Sequence, residues 1–215
     1  REERKFLEDM RALGWRRPDV MPHATRELPA MRALIGRLLR RRAAYPVDGS
    51  VYFDTSRDAR YGELSRLSAA KMRRILAAQD DAALEDPRRR APIDFALWRA
   101  VPDGPTWPSP YGPGRPGWHL ECSAMSQRHH GERLDIHAGG TDLIYPHHEN
   151  EIAQSEAAMG KRPFAAWWVH PAPVRLGGEK MSKSLGNMIF VRDALATATP
   201  QALRLYLLDA HYRRP

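Results

Sequence analysis

The sequence predicts an α/β fold, and three observations predict it. A short β-like run from Arg133 to His137 ends in Ala138-Gly139-Gly140, the helical stretch HHENEIAQSEAAMG follows, and a second strand-like run covers Ala166 to His170, so the three make a βαβ unit. Two upstream stretches carry apolar residues at helical spacing. Asp48-Gly49 reads as a turn into the short strand Val51-Tyr52-Phe53.

Taken in order, residues 2 to 13 place Phe6, Leu7, Met10 and Leu13 on one stripe. Thr25 stands where it can cap a second helix carrying Leu28, Met31, Ile35, Leu38 and Leu39. Both helices read as packing elements. Ser68 caps a further helix that runs to residue 78, and residues 79 to 93, acidic and then basic, read as a surface loop. The Pro/Gly-dense stretch from Pro102 to Gly117 suits neither a helix nor a sheet interior and marks a boundary. In the βαβ unit, ligands are expected at the carboxyl ends of the parallel strands, where Gly139-Gly140 and the loop after His170 fall. Glycine lets backbone approach a nucleotide closely, and Asp142 offers a carboxylate to ribose hydroxyls. A plain tight turn is the alternative. Trp167-Trp168 on the second strand read as core on one face and cover on the other.

Composition narrows the class. The chain has 215 residues, 42% of them hydrophobic, which is enough to bury a core in one or two domains. A single cysteine excludes an internal disulfide framework. With no 18-residue apolar run and no leader-like segment in the sequence, the expected compartment is the cytoplasm and no membrane partner is expected. A net charge of +8 leans toward a polyanion partner. Much of the excess lies in the runs Arg40 to Arg42 and Arg88 to Arg90, for which solvated surface is an equal alternative to an RNA footprint.

The most informative segment is Lys180-Met181-Ser182-Lys183-Ser184, set in GGEKMSKSLGN. It puts two ammonium groups on a short loop where hydroxyls and backbone N–H groups can join them around a polyphosphate. A compact ammonium suits the charge that builds up as pyrophosphate leaves. Alone, the segment also reads as a solvated turn.

This loop resembles the signature lysine loop of class I aminoacyl-tRNA synthetases. With GWHLECSAMS at 117 to 126 and DIHAGGTDLIYPHHENEIAQSEA at 135 to 157, the chain resembles the cysteinyl-tRNA synthetases in particular. Weaker likeness extends over RPDVMPHAT, DFALWRA and TWPSPYGPGRPGWH, so the resemblance covers essentially the whole chain. It implies the second half of a Rossmann-like nucleotide-binding fold, with residues 1–110 an inserted α+β connective segment, 111–190 that second half, and 191–215 the start of a helical stem-contact region. The family's HIGH-type motif occurs nowhere in the sequence. The chain is therefore expected to be a piece or short form lacking that half and the anticodon-binding domain, incomplete alone, with a HIGH-motif-bearing polypeptide as a partner.

The resemblance implies ATP-dependent activation of cysteine, with Mg²⁺, and its transfer to tRNA(Cys). Lys180 and Lys183 would be catalytic, and Gly139, Gly140, Asp142, His170 and Lys183 would hold ATP. Cys122, His147 and Glu151 would bind Zn²⁺. The last two stand four apart at the start of a helix and so share a face. Thiolate, imidazole and carboxylate suit zinc, but spacing alone leaves a buried cysteine beside a surface His/Glu pair as the simpler reading. The family's further cysteine ligand has no counterpart here, since the chain has one cysteine. Zinc would select the soft thiol of cysteine over the hydroxyl of serine. Trp118 resembles the indole lining the cysteine pocket, with a core tryptophan as the alternative. His148 is expected in an outer shell or on the surface, and His119 and His137 are outer-shell candidates or structural histidines.

Two departures bear on ATP. The family shows three glycines where Ala138-Gly139-Gly140 stands and a His-x-Gly turn where His170-Pro171-Ala172 stands, and both changes stiffen backbone beside the expected adenine. Two other functions stay open. One is a cysteine ligase that passes the adenylate to a small-molecule amine, as in mycothiol synthesis, against which Asn150 and Glu151 look like the synthetase version. The other is a non-catalytic relic.

Overall fold

The computed structural model describes residues 1–78, 86–181 and 186–214. Along the chain run α1 (Glu2–Ala12), α2 (Leu28–Arg40), β1 (Ala44–Val47), β2 (Ser50–Phe53), α3 (Ala69–Ala78), β3 (Phe95–Arg99) and β4 (Arg115–Pro116). There follow α4 (Trp118–His130), β5 (Leu134–Ala138), α5 (Glu149–Met159), β6 (Ala165–Val169), the β7–β8 hairpin (Arg175–Leu176, Glu179–Lys180), α6 (Val191–Ala194) and α7 (Pro200–Asp209). The chain divides into two compact units, Arg1–Met21 with Gly139–Thr141 and His170–Pro215, and Pro22–Ala138 with Asp142–Val169. These units cut across the three segments that the resemblance implies.

The larger unit is built on α2. Four of its core residues, Met31, Leu34, Ile35 and Leu38, are fully buried, Leu28 is nearly so, and Leu39 is half-buried. The expected stripe is there, with Leu34 added. Thr25 does not cap α2: it lies inside a 3-10 turn, Ala24–Arg26, and Glu27 takes the cap position. Pro29 in the first turn fixes where the helix starts.

Against α2 packs an antiparallel sheet of order β1-β2-β3-β4. Asp48 and Gly49, at φ 45° and 75°, form the two-residue turn expected from Asp-Gly, and Val51, Tyr52 and Phe53 are wholly buried. Pro46 and Pro116 fall on the two edge strands, where a missing N–H is tolerated. Asp94 ties the sheet to its loops. Its buried carboxylate accepts from Tyr45 Oη at 2.8 Å, Thr55 N at 2.9 Å, Thr55 Oγ1 at 2.8 Å and Ala91 N at 3.1 Å.

The expected surface loop falls partly, at 79–85, outside the described residues. Its described remainder is tied down: Arg88 holds Asp86 at 2.7 Å and Ser50 at 3.0 Å, and Arg90 stacks on Tyr45 at 4.0 Å. Much of this second arginine run thus serves the fold itself. Ser68 caps α3 through Lys71 N at 3.3 Å, as expected.

The βαβ unit is present. β5 and β6 pair in parallel, Leu134 opposite Ala165 and Ile136 opposite Trp167, with α5 between them in sequence. Trp168 packs at ring distance from His137, His148 and Phe164. Trp167 is neither core nor cover, being 72% exposed. α4 was not legible from periodicity, because its apolar residues follow no helical stripe.

In the smaller unit α1 half-buries Leu7 and Met10, Leu13 at its C-terminal cap is buried, and Phe6 stays exposed and meets Trp15 edge-on at 5.8 Å. Arg192 on α6 bonds Asp9 at 2.7 Å, and Arg204 on α7 bonds the Leu13 carbonyl at 2.7 Å. Thr199 caps α7 through Ala202 N at 3.2 Å. Among the described residues no helix is long and apolar enough to cross a membrane.

The Asp94 cluster carries a prediction. Asp94→Ala strips four donors, three of them buried, of their acceptor and is expected to lower stability by about 3 kcal/mol, with Asp94→Asn in between. Urea denaturation followed by circular dichroism measures both.

Candidate functional site

The site is held by α4 and α5, and its position begins at Gly117. The Gly117 N–H donates to the Leu97 carbonyl on β3 at 2.9 Å, and a Cβ there would lie 1.9 Å from the Ala96 carbonyl oxygen. Only glycine lets α4 start this close to the sheet. Trp118 and Cys122 then follow one turn apart on α4, with His119 and Ser123 on the adjoining row.

Before α5 the chain makes a π-type turn over Ile144–His148, with Tyr145 in an extended conformation and a cis bond to Pro146. From there His147, Glu151 and Gln154 recur at helical spacing, and all three are buried. Gln154 Nε2 donates to the His119 carbonyl at 2.6 Å and to Ser123 Oγ at 2.7 Å, which clamps α5 to α4. On its other side α5 holds a loop: Glu149 accepts from Gly62 N at 2.9 Å and Ser65 N at 2.8 Å, and Asn150 accepts from the Tyr61 hydroxyl at 2.5 Å.

Cys122, His147 and Glu151 are brought together. Their ligand atoms all lie within 4.8 Å of one another, and His147 Nε2 stands 3.6 Å from Glu151 Oε1. A second group, His137, His148 and Glu151, meets the same distance and shares the carboxylate. His119 and His137 stand behind the first group: His119 Nδ1 shares a proton with His147 Nδ1 at 2.9 Å, and His137 Nε2 bonds Glu151 Oε2 at 2.5 Å. His148 is not on the surface. It is 1% exposed, packed between the rings of His137 and Trp168.

The electrostatics follow from burial. Burial pushes the Cys122 thiol up to about 12, helped by the charges of Glu151 and Glu121. Burial likewise pushes His119 down to about 3, with His147 and Arg89 adding to it, so its ring is neutral. His147 is lowered by burial, which Glu151 partly offsets.

A cation fits this donor set on one observation in particular. Glu151 Oε1 is buried and, among the described residues, makes no hydrogen bond of ordinary geometry, with His147 Nε2 at 3.6 Å and the Cys122 thiol beside it, a state that buried carboxylate oxygens rarely keep. A divalent cation beside it would satisfy that oxygen and reverse the local preference of the thiol, since a coordinating thiol is deprotonated outright. Trp118 is 55% exposed and its ring lies 4.4 Å from that of His147, so it is not the core tryptophan of the alternative reading. It lines a cleft of about 360 Å³ together with Phe95, Arg99, His119 and Pro146.

The other expected residues belong to neither of these two groups. Gly139-Gly140 directly follows β5 and His170 directly follows β6, so both leave the carboxyl ends of the parallel pair. Thr141 N donates to the Pro171 carbonyl at 3.0 Å, joining those two segments. Asp142 is exposed. Lys180 ends β8 in a hairpin whose turn, Gly177-Gly178, has φ 61° and 87°. Lys183 lies outside the described residues.

Sequence reasoning missed the Gln154 clamp and the Glu149 and Asn150 anchors. The signal for the first was present: His147, Glu151 and Gln154 form a polar stripe at helical period, and such a stripe on a helix this rich in alanine marks a buried polar face.

The profile of the family described as "tRNA synthetases class I (C) catalytic domain" matches residues 1–215. The chain belongs to this family of class I tRNA synthetase catalytic domains. It is 50% identical over 213 residues to the Cysteine--tRNA ligase of Pelotomaculum thermopropionicum and 52% identical over 217 residues to that of Parasynechococcus marenigrum. To the Cysteine--tRNA ligase of Caldicellulosiruptor saccharolyticus it is 50% identical over 212 residues. Each match covers 98% of this chain and 43% or 44% of the relative, so the chain spans less than half the length of the curated relatives it matches.

The clamp carries a second prediction. Gln154→Ala removes both bonds from α5 to α4 and is expected to lower stability by about 2–3 kcal/mol. Thermal and urea melts measure the loss, which should exceed that of an exposed control such as Gln201→Ala.

Proposed function

We propose that this chain forms part of an enzyme that activates cysteine with ATP and transfers it to tRNA(Cys), working in the cytoplasm. The observation that carries the reading is the unpartnered Glu151 oxygen facing His147, with the Cys122 thiol in the same group. Zn²⁺ is the cation this mixed sulfur, nitrogen and oxygen set suits. When bound, it supplies a Lewis-acid site that a cysteine thiolate ligates strongly and a serine hydroxyl poorly.

The chain's own residues do the rest. Cys122, His147 and Glu151 hold the metal, and the His137 bond to Oε2 turns the free Oε1 toward it. The His119 bond to Nδ1 of His147 leaves Nε2 as the ligand atom. Of the two groups this one is favoured, because the carboxylate oxygen nearer His137 is already engaged. Trp118 walls the cysteine side of the cleft and excludes water. In this reading residues 111–190 are the second half of a Rossmann-like fold, residues 1–110 its insertion and residues 191–215 the start of the stem-contact region.

Gly139, Gly140 and His170 receive the adenosine in this reading and Asp142 the ribose. Lys180 and Lys183 follow the triphosphate, with Mg²⁺, and offset the charge on departing pyrophosphate. The HIGH-type motif would come from polypeptide beyond these residues.

The test of the metal is its content. Purified without chelator, the 215-residue chain is expected to carry up to one zinc ion per chain, and Cys122→Ala is expected to bring that close to zero. Plasma mass spectrometry gives the number; a value near zero for the unaltered chain, or no change in the variant, removes the metal from the reading.

The lysine loop is tested separately, in a polypeptide that spans the relatives' full length. There Lys183→Ala is expected to slow adenylate formation by on the order of a hundredfold while changing ATP affinity little, since its contact tightens in the transition state. Single-turnover kinetics separate the two effects.

A further inference from the structure

Between α2 and α4 lies an open groove of about 760 Å³, lined by none of the residues assigned above to the metal, cysteine or ATP. Arg32, Arg37 and Arg40 line it from α2, Gln127 from α4, and Tyr111 from the loop opposite. Gln127 stands about 140° around α4 from Cys122, so the groove and the metal cluster use different faces of that helix.

Among the described residues no carboxylate pairs with Arg32, Arg37 or Arg40, and the side-chain hydrogen bond found among the three runs from Arg37 Nη2 to Gln127 Oε1 at 2.8 Å. The nearby acids are already taken. Glu27 holds Arg128 at 2.6 Å and His129 at 3.5 Å, and Glu132 holds Lys161. Three donors in the groove are buried without an acceptor: Arg32 Nε, Arg37 Nε and Gln127 Nε2. The Arg37 bond fixes which end of the Gln127 amide is the donor. Buried donors ordinarily find acceptors, and here three of them line one groove together with three unneutralised guanidinium groups.

The missing component is an anion rich in acceptors. Arg32 and Arg40 stand two helical turns apart, about 12 Å along the axis, and the Arg40 guanidinium reaches back over Gly36, where a Cβ would come within 3.4 Å of Nη1. Three guanidinium groups carry more donors than one phosphate takes and suit a row of them. Guanidinium forks match phosphate oxygens in pairs, and the Tyr111 ring offers a face on which a base stacks. We propose that this groove binds the phosphodiester backbone of an RNA strand. The choice of RNA among polyanions rests on the proposed function; the anion groove itself does not.

Fluorescence anisotropy with a labelled RNA hairpin of about 20 nucleotides, titrated with the 215-residue chain at several salt concentrations, tests this. The Arg32→Gln/Arg37→Gln/Arg40→Gln variant is expected to bind at least tenfold more weakly, with the slope of log K against log salt smaller by about 2 to 3, near 0.7–0.9 for each phosphate that is no longer neutralised. The corresponding triple lysine variant keeps the charge and is expected to keep most of the slope, which separates lost charge from a damaged helix. An unchanged slope in the glutamine variant overturns the proposal. So does an equal loss in Arg73→Gln/Arg74→Gln, two exposed arginines of α3, because net charge alone would then account for binding. Displacement of the RNA by inorganic phosphate, at ionic strengths where sodium chloride leaves it bound, would reduce the groove to a single-anion pocket and also overturns it. Zinc content is expected to be unchanged in all three variants, so failure here leaves the metal reading standing and its failure leaves the groove untouched.

Discussion

The buried polar seam between α4 and α5 is the constraint on which the rest of the site depends. His147, Glu151 and Gln154 are drawn out of water on one face of α5, and each must find partners on what packs against it. Gln154 finds the His119 carbonyl and Ser123, while His147 finds His119. Glu151 finds His137 for one oxygen and, among the described residues, no hydrogen bond of ordinary geometry for the other. The seam thus leaves that carboxylate oxygen open. It faces His147 and belongs to the same group as the Cys122 thiol, a set of atoms that could hold a cation.

The seam is only as well placed as the helix that carries half of it. α4 starts where Gly117 lies against β3, at a separation no other residue allows, and its fully buried Leu120 lies in the same core as Leu97 and Trp98. The four-stranded sheet and the group of Cys122, His147 and Glu151 are therefore parts of one packed body within the larger unit. A site on such elements keeps its geometry better than one on loops. The arginines divide along similar lines. Arg88 and Arg90 are bound into the fold, whereas among the described residues Arg32, Arg37 and Arg40 line one groove without a carboxylate partner. A net charge of +8 therefore says less than where the charge is left unneutralised.

Much of this was legible in the residues. Asp48-Gly49 determined a two-residue turn because both positions need φ above zero, and the βαβ unit around residues 134–169 declared itself through its Gly-Gly punctuation and the helix between two β-like runs. The α2 stripe fixed the core because burial of apolar area needs no partner geometry. The i, i+4 spacing of His147 and Glu151 was sufficient to place both on one helix face. These features were readable because each depends on neighbours within a few residues along the chain.

Other features depend on residues far apart in sequence. α4 has no stripe because one of its faces meets the α5 seam and another meets the α2 core, so its burial obeys no single period. Thr25 had the chemistry of a cap, yet Glu27 holds that position and carries a pair to Arg128 that lies 101 residues away in the chain. Trp167 is as apolar as Trp168 and takes the exposed face only because strand alternation puts it there. By itself the sequence determined the element types, the turns and the residue types able to hold zinc and phosphate. Only the tertiary structure decided that Cys122 meets His147 and Glu151, that His148 is buried, and which arginines stay without a carboxylate, because burial and charge pairing are set by whatever the fold brings alongside.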